Sequence, residues 1–167
     1  AFNEDKLNTF GIAIGGSLGS NKHEMQEVVN FTASRLKNFR PVHLLGIGDP
    51  SDIWSFVDQG IDTFDCVSPT RLARHGSALV RGKKGKINLK NAKYKDQLVP
   101  IDSQCLCYTC QNFTLSYIYH LFAAKELLAM QLLTNHNIYF MNNLMKIIRK
   151  AIKENNFEAV KKAWFEG

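Results

Sequence analysis

The chain has 167 residues, of which 45% are hydrophobic and 22% charged, a composition typical of a globular domain with a core of its own. No stretch approaches the about 18 uncharged apolar residues of a membrane span. The first residues also lack the basic start and the following apolar run of a signal peptide. With a formal net charge of +6, we therefore expect a basic, cytoplasmic protein without a membrane partner.

The first half of the chain alternates short apolar runs with helical patterns. A short buried strand is predicted over residues 11–14, and a glycine-rich turn follows over 15–19. Apolar residues at helical spacing predict a helix over 21–37, and the next apolar run predicts a second strand over 43–47.

A second helix and a third strand complete this half. Asp49 and Pro50 form a good helix start, a capping side chain followed by proline, and Gly60 is a natural helix stop. The next apolar run predicts a strand over 61–67. Short loops between strands and helices favour parallel strands with right-handed crossovers. Three strands cannot close a barrel, and a complete eight-stranded barrel takes about 250 residues. The pattern therefore indicates a small open α/β sheet or the end of a (β/α) barrel.

Two features lie at predicted strand ends, where α/β enzymes carry their chemistry. Asp65 lies near the carboxyl end of the third strand, where a carboxylate acts as a base or nucleophile or only accepts from the next loop. Gly15 and Gly16 follow the first strand. Their backbone amides could meet a phosphate or a base edge, or the pair could form only a tight turn.

A basic segment follows the third strand. Residues 71–95 hold nine Lys or Arg residues and no Asp or Glu. Within the segment, 77–80 and 86–89 are predicted to pair as a hairpin. Such a charge block is typical either of a surface that faces a polyanion, nucleic acid being the leading candidate, or of a solvated loop.

Three of the four cysteines lie within six residues, namely Cys105, Cys107 and Cys110. A secreted disulfide framework spreads its cysteines along the chain, so this cluster indicates a metal site. Buried thiols or a redox pair are the alternative. Zn²⁺ suits three thiolates and one imidazole, and four protein ligands leave no position for a catalytic water. The zinc is therefore expected to be structural.

The fourth ligand must be a histidine from elsewhere, and His120 and His136 are the candidates. A continuous helix over 113–135 would carry the chain roughly 30 Å away at 1.5 Å per residue. We choose His136 and predict that the helix breaks near 123–125, so that the chain returns. The polar run 134–137 is predicted as a cap-like entry to the last long helix.

Several independent motifs, in this order and spacing, resemble those of tRNA-guanine transglycosylases. They are FDCVSPTR at 64–71, ARHG at 73–76, KINLKNA at 86–92, the cysteine cluster and LTNHN at 133–137. The resemblance covers nearly the whole chain from about Gly11. It implies the C-terminal part of a (β/α)8 TIM barrel, about its last three strands, with an inserted zinc-binding subdomain and C-terminal helices. The implied division is a barrel segment at 1–76, a basic hairpin with zinc subdomain at 77–137, and helices packing back on the barrel at 138–167.

The resemblance also assigns roles to individual residues. Asp65 matches the nucleophile that attacks the ribose C1′ of a flipped-out nucleotide and displaces guanine at the anticodon wobble position. Gly15 and Gly16 match the loop whose backbone meets the bound base. Arg71 and Arg74 match residues that grip the tRNA anticodon loop.

Partners follow from the same resemblance. The incoming base is a 7-deazaguanine, and the pre-queuosine base is expected rather than queuine. Tyr117 and His120 match positions at the contact of the family's homodimer, although Tyr117 also fits an ordinary helix face.

The family's first barrel half, with its second catalytic aspartate, has no counterpart in this sequence, so we expect the chain alone not to exchange bases. A non-catalytic partner subunit and a generic zinc-stabilised module are the alternative hypotheses. The strand-end carboxylate of Asp65 favours the enzyme over the first, and the strand–helix pattern with its basic segment argues against the second.

Overall fold

The computed structural model describes residues 9–16, 19, 21–36 and 40–166. The chain forms two compact units, one ending at Cys66 and the other beginning at Val67. Part of the predicted glycine-rich turn, including Ser17 and Leu18, lies outside the described residues.

Over its described residues, the first unit is a three-stranded parallel sheet with two helices. Its elements are β1 (Ile12–Ile14), α1 (Lys22–Ala33), β2 (Val42–Leu44), α2 (Pro50–Asp58) and β3 (Thr63–Phe64). The sheet order is β1-β2-β3, and both neighbouring pairs are parallel, which confirms the predicted arrangement. β2 is shorter than predicted because Gly46 takes a φ of +78°, which lies outside the strand region.

Capping side chains begin both helices of this unit. Asn21 accepts a hydrogen bond from the backbone N–H of Glu24, and Asp49 accepts one from that of Ser51. Each bond satisfies an N–H that has no partner within its helix. α2 ends as predicted, just before Gly60 with its φ of +89°. The apolar faces of both helices pack with the sheet in one cluster, whose buried members are Ile14, Val29, Ala33, Val42, Leu44, Phe56 and Ile61.

The second unit is mainly helical. Its elements are α3 (Ser68–Arg74), β4 (Ser77–Leu79), β5 (Lys86–Asn88), a 3₁₀ helix (Ala92–Tyr94), α4 (Tyr108–Asn112), α5 (Leu115–Ala123), α6 (Leu127–Lys153) and α7 (Phe157–Glu166). β4 and β5 are antiparallel neighbours, which confirms the predicted hairpin.

Helix α3 corrects the sequence interpretation. The third strand was predicted to run through Val67, but β3 ends at Phe64 and Val67 precedes α3 as its N-cap. Pro69 lies in the first turn of α3. Proline is favoured there because the N–H that it lacks would have no partner within the helix.

The predicted helix break is confirmed, and the predicted helix entry is wrong. α5 ends at Ala123, Lys125 takes a φ of +60°, and α6 begins at Leu127. The run 134–137 therefore lies inside α6, not at its start. Its polar residues lie too far inside the helix to cap it. The side chain of Asn137 instead accepts a hydrogen bond from the backbone N–H of Leu79.

The core of the second unit surrounds the cysteine cluster. Its buried members include Ala78, Leu89, Ile118, Leu133 and the three cysteines of the predicted site. Helix α6 runs unbroken across residue 137, and the three-part domain division stays a prediction. No described helix is both long and apolar enough to cross a membrane.

Candidate metal centre and candidate reaction site

The three cysteines converge through a short knuckle. Cys105 and Cys107 lie in the loop before α4, and Cys110 lies on α4. Cys107 is the N-cap of this helix, and its Sγ accepts a hydrogen bond from the backbone N–H of Cys110 at 3.3 Å. The side-chain amide of Gln111 donates to the carbonyl of Cys105 at 3.0 Å. The spacing thus folds three thiols onto one side of a single helical turn.

His136 on α6 completes the cluster. Its Nδ1 lies 3.8, 3.6 and 3.3 Å from the Sγ atoms of Cys105, Cys107 and Cys110. The four candidate ligand atoms all lie within 4.8 Å of one another. Tetrahedral zinc with ordinary Zn–S and Zn–N bonds separates sulfur and nitrogen by about 3.5 Å. The donor set and its spacing therefore fit a structural zinc ion, whereas His120 is exposed on α5 and lies outside the cluster.

The other ring nitrogen of His136 contacts the backbone of β4. Nε2 lies 2.9 Å from the carbonyl oxygen of Leu79, which can only accept, so Nε2 carries the proton. Nδ1 faces the sulfurs, and it is the nitrogen that would bind a metal ion once it has lost its proton. The backbone of β4 thus orients the histidine for a metal ion.

Asn137 ties the same strand to α6. Its fully buried side chain accepts from the N–H of Leu79 at 2.9 Å. Its amide group donates to the carbonyls of Pro69 at 2.9 Å and Ser77 at 3.0 Å. All three bonds reach backbone groups of α3 and β4. The adjacent residues His136 and Asn137 therefore join the cysteine cluster to the segment that begins the basic region.

The protonation of the cluster reflects its crowding. A hydrogen bond from Cys110 lowers the pKa of Cys107 to about 3, while donating that bond to Cys107 raises the pKa of Cys110. Burial opposes the charged form of His136, but hydrogen bonds to Cys105 and Cys107 outweigh it and raise its pKa to about 9. The site therefore favours a thiolate, the form that binds metals.

The candidate reaction site lies at the carboxyl edge of the parallel sheet. Asp65 directly follows β3, and its side chain is 60% exposed. Its Oδ1 accepts a hydrogen bond from the backbone N–H of Gly46 at 3.1 Å and lies 3.1 Å from Nε2 of His43. The Gly46 N–H first, and His43 second, lower the pKa of Asp65 below its usual value. The structure therefore presents an ionised carboxylate toward solvent.

Gly15 and Gly16 lie at the same edge, because β1 and β3 run parallel on either side of β2. Gly16 takes a φ of +91°, a conformation that other residues rarely adopt. A Cβ on Gly15 would lie 2.4 Å from Cδ1 of Leu45, and a Cβ on Gly16 would meet nothing within 4 Å. The turn thus leaves exposed backbone at the edge that carries Asp65.

The basic segment carries its charges at the surface. Its nine basic side chains are all exposed, namely Arg71, Arg74, Arg81, Lys83, Lys84, Lys86, Lys90, Lys93 and Lys95. Arg71 and Arg74 both lie in the last turn of α3, and their spacing places them on one helix face. This surface has the charge that polyanion binding requires.

The roles of two residues in these sites were not predicted from the sequence. His43 was predicted only as part of an apolar strand, and the register that pairs it with Thr63 places it beside Asp65. Asn137 was predicted only as part of a cap-like run next to a candidate ligand. Its burial depends on where α6 begins. The chain turns into α6 through Lys125, which takes a left-handed conformation that is unusual for lysine.

Comparison with known proteins identifies the family of the chain. The family model described as "Queuine tRNA-ribosyltransferase" matches residues 3–167. A "Queuine tRNA-ribosyltransferase" of Roseiflexus sp. (strain RS-1) is 49% identical over 156 residues, covering 92% of this chain and 39% of the relative. Relatives of the same name from Dictyoglomus turgidum and Clostridium botulinum (strain Hall) are each 47% identical, over 153 and 157 residues.

These two alignments cover 91% and 93% of this chain and 39% and 41% of the relatives. The chain thus spans about two fifths of the length of the curated relatives that it matches. The match to the family model over almost the whole chain shows that the chain belongs to the queuine tRNA-ribosyltransferase family.

Proposed function

We propose that this chain supplies the nucleophile and the structural zinc site of a tRNA-guanine transglycosylase. In this proposal its parallel sheet is the last part of a (β/α)8 barrel. The observation that carries the proposal is Asp65, an ionised and exposed carboxylate at the carboxyl edge of the sheet, in a chain of this family. Barrel enzymes place their catalytic groups at that edge.

The proposed reaction is two displacements at one carbon. A carboxylate oxygen of Asp65 attacks C1′ of the target ribose, and the bond from C1′ to N9 of guanine breaks. Guanine leaves with the bonding electron pair and takes up one proton. The incoming base then loses one proton as its ring nitrogen bonds to C1′, and the carboxylate is released. Two inversions retain the configuration at C1′, as in retaining glycosidases.

The substrates are the anticodon loop of a tRNA and a 7-deazaguanine, with the pre-queuosine base preferred to queuine. The target nucleotide must leave its stack to reach the carboxylate. Arg71 and Arg74 would hold the phosphates of the loop, supported by their exposure on one face of α3. Gly15 and Gly16 would admit the base, supported by their exposed backbone at the sheet edge.

Cys105, Cys107, Cys110 and His136 would hold the zinc ion. The ion when bound supplies a cross-link between the knuckle and α6, without a position for water. A homodimer in the cytoplasm completes the proposal, with Tyr117 and His120 at the contact between the two copies. Both side chains are exposed on α5, and Tyr117 stacks on Phe113 with ring centroids 5.3 Å apart.

The test is incorporation of labelled guanine into tRNA, with a denaturing gel to detect the covalent protein–RNA intermediate. The complete gene product should incorporate label, and Asp65→Asn should lower incorporation by about 10⁴-fold or more, because an amide is a poor nucleophile. The matched control is Asp62→Asn, three residues earlier. Asp62 accepts from the N–H of Val42 at 2.7 Å, an acceptor role that an amide oxygen can keep.

Two results would contradict the proposal. Equal incorporation by Asp65→Asn and the parent would show that another group is the nucleophile. No incorporation by the complete gene product, with tRNA binding intact, would favour a non-catalytic partner subunit. The chain alone should bind tRNA without incorporating label.

A further inference from the structure

At the carboxyl edge of the sheet, the side chain of His43 contacts the side chain of Asp65. It lies on β2, the central strand, directly beside Thr63 of β3 in the parallel register. One ring nitrogen, Nδ1, lies 2.8 Å from Oγ1 of Thr63. The other, Nε2, lies 3.1 Å from Oδ1 of Asp65. The imidazole thus bridges two side chains of the neighbouring strand.

The chemistry of these partners determines where the protons lie. An ionised carboxylate only accepts hydrogen bonds, so Nε2 must carry a proton and donate to Asp65. In a neutral ring Nδ1 is then an acceptor, and the hydroxyl of Thr63 donates to it. Thr63 therefore orients the ring, and the ring orients the carboxylate.

We propose that His43, held by Thr63, is a positioning residue for the nucleophile of this family member. The inference rests on the proposed role of Asp65 as that nucleophile. His43 and the N–H of Gly46 both bind Oδ1, and neither binds Oδ2. Oδ1 is thereby fixed by two donors from β2 and the turn that follows it, and Oδ2 is the oxygen that attacks C1′.

The same two donors act in both displacements. After attack, Oδ1 becomes the carbonyl oxygen of an ester and still accepts from His43 and Gly46. When the incoming base displaces the ester, negative charge returns to the carboxylate, and donors already in place stabilise it. Loss of His43 should therefore slow chemistry while leaving the binding of tRNA and base unchanged.

The experiment compares three variants of the complete gene product. His43→Ala removes both hydrogen bonds and should lower kcat by about 10²-fold with little change in KM, because misplacement of a reacting group acts on the chemical step. His43→Gln keeps a donor near Asp65 and should recover part of this loss. Thr63→Val removes only the hydroxyl that orients the ring and should give a smaller fall in kcat.

A matched control and a spectrum separate positioning from folding. His23→Ala changes an exposed histidine on α1 that pairs with Glu27, and it should keep the parent kcat. Nitrogen NMR of ¹⁵N-histidine-labelled protein should show His43 as the tautomer protonated at Nε2, and Asp65→Asn should weaken that preference.

The outcomes distinguish this inference from the proposed function. If Asp65→Asn abolishes exchange while His43→Ala keeps the parent kcat, the positioning role is wrong and the nucleophile stands. A rise in KM with unchanged kcat for His43→Ala would also overturn it. If Asp65→Asn retains exchange, the proposed function itself is wrong.

Discussion

The metal cluster and the sheet edge are built on opposite principles. His136 is fully buried, and its two ring nitrogens face the cysteine sulfurs and the carbonyl of Leu79. The side chain of Asp65 is 60% exposed, and both bonds from His43 and Gly46 reach the same oxygen. The cluster keeps its polar atoms inside the protein, whereas the edge turns reactive atoms toward solvent.

This difference separates stability from reactivity. Buried thiols and imidazoles without partners are costly, so a buried cluster of this kind is stable when a cation completes it. An exposed carboxylate contributes little to the stability of the fold. Its pKa and orientation can therefore be set by the needs of the reaction. Changes at the cluster should therefore act on folding, and changes at the edge should act on the reaction.

Removal of the metal should have the largest effect. Structural zinc is worth about 10 kcal/mol or more in small metal-dependent domains, so chelation or Cys110→Ser should unfold the region after Pro100. Hydrogen exchange read by mass spectrometry should show early loss of protection in α4 and α5. Amides of β1 and β2 should exchange later.

Cys66→Ser is the control for this prediction, because Cys66 lies outside the cluster. It should keep the parent exchange pattern before and after chelation. A chelated protein that retains protection over α4 and α5 would show that the cluster does not need a metal for its fold.

Asn137 provides a smaller test inside the same region. Asn137→Ala leaves the N–H of Leu79 and the carbonyls of Ser77 and Pro69 without their side-chain partner. Buried groups left unpaired make a loss of roughly 3 kcal/mol in the free energy of unfolding reasonable. Chemical denaturation with metal present measures this loss.

The control for Asn137 is Asn142→Ala, an exposed asparagine on the same helix. It should change the free energy of unfolding by less than about 0.5 kcal/mol. Equal effects of the two substitutions would mean that the bonds from α6 to β4 do not hold the basic segment in place. We also expect Asn137→Ala to weaken tRNA binding, since these bonds support α3 with Arg71 and Arg74.

The metal cluster was more predictable from sequence than the reaction site. Three cysteines in six residues restrict the local chain so strongly that the cluster follows from spacing. His136 required only that the helix reverse near Lys125. The neighbours of Asp65 depend instead on strand register, which pairs His43 with Thr63 across 20 residues of chain. No local pattern encodes that pairing.

Two local errors have the same origin. The strand predicted through Val67 and the helix entry predicted at 134–137 both relied on residue type without the backbone conformation around it. Pro69 lies in the first turn of α3, where the third strand was predicted to have only just ended, and Lys125 takes the left-handed conformation that glycine usually adopts. Residue type alone therefore did not predict where these two helices begin.

The smallest effect concerns the acid end of the reaction. The pKa of Asp65 lies below its ordinary value of 3.8, first because of the Gly46 N–H and second because of His43. A carboxyl whose pKa is depressed by folding stays ionised to lower pH, and the stability it adds is lost only as pH falls through the folded pKa. We therefore expect the acid limb of the single-turnover rate to lie below pH 3.8 wherever the fold survives.

His43→Ala should move that limb upward, toward but not reaching the ordinary value, because the larger contribution from Gly46 remains. Carbon NMR of the labelled Asp65 carboxyl measures the same shift without relying on activity. An unchanged titration in His43→Ala would mean that the imidazole does not donate to Oδ1. The backbone N–H of Gly46 would then be the group that keeps this exposed carboxylate ionised. In that case the turn after β2, and not the imidazole, would set the pKa of Asp65.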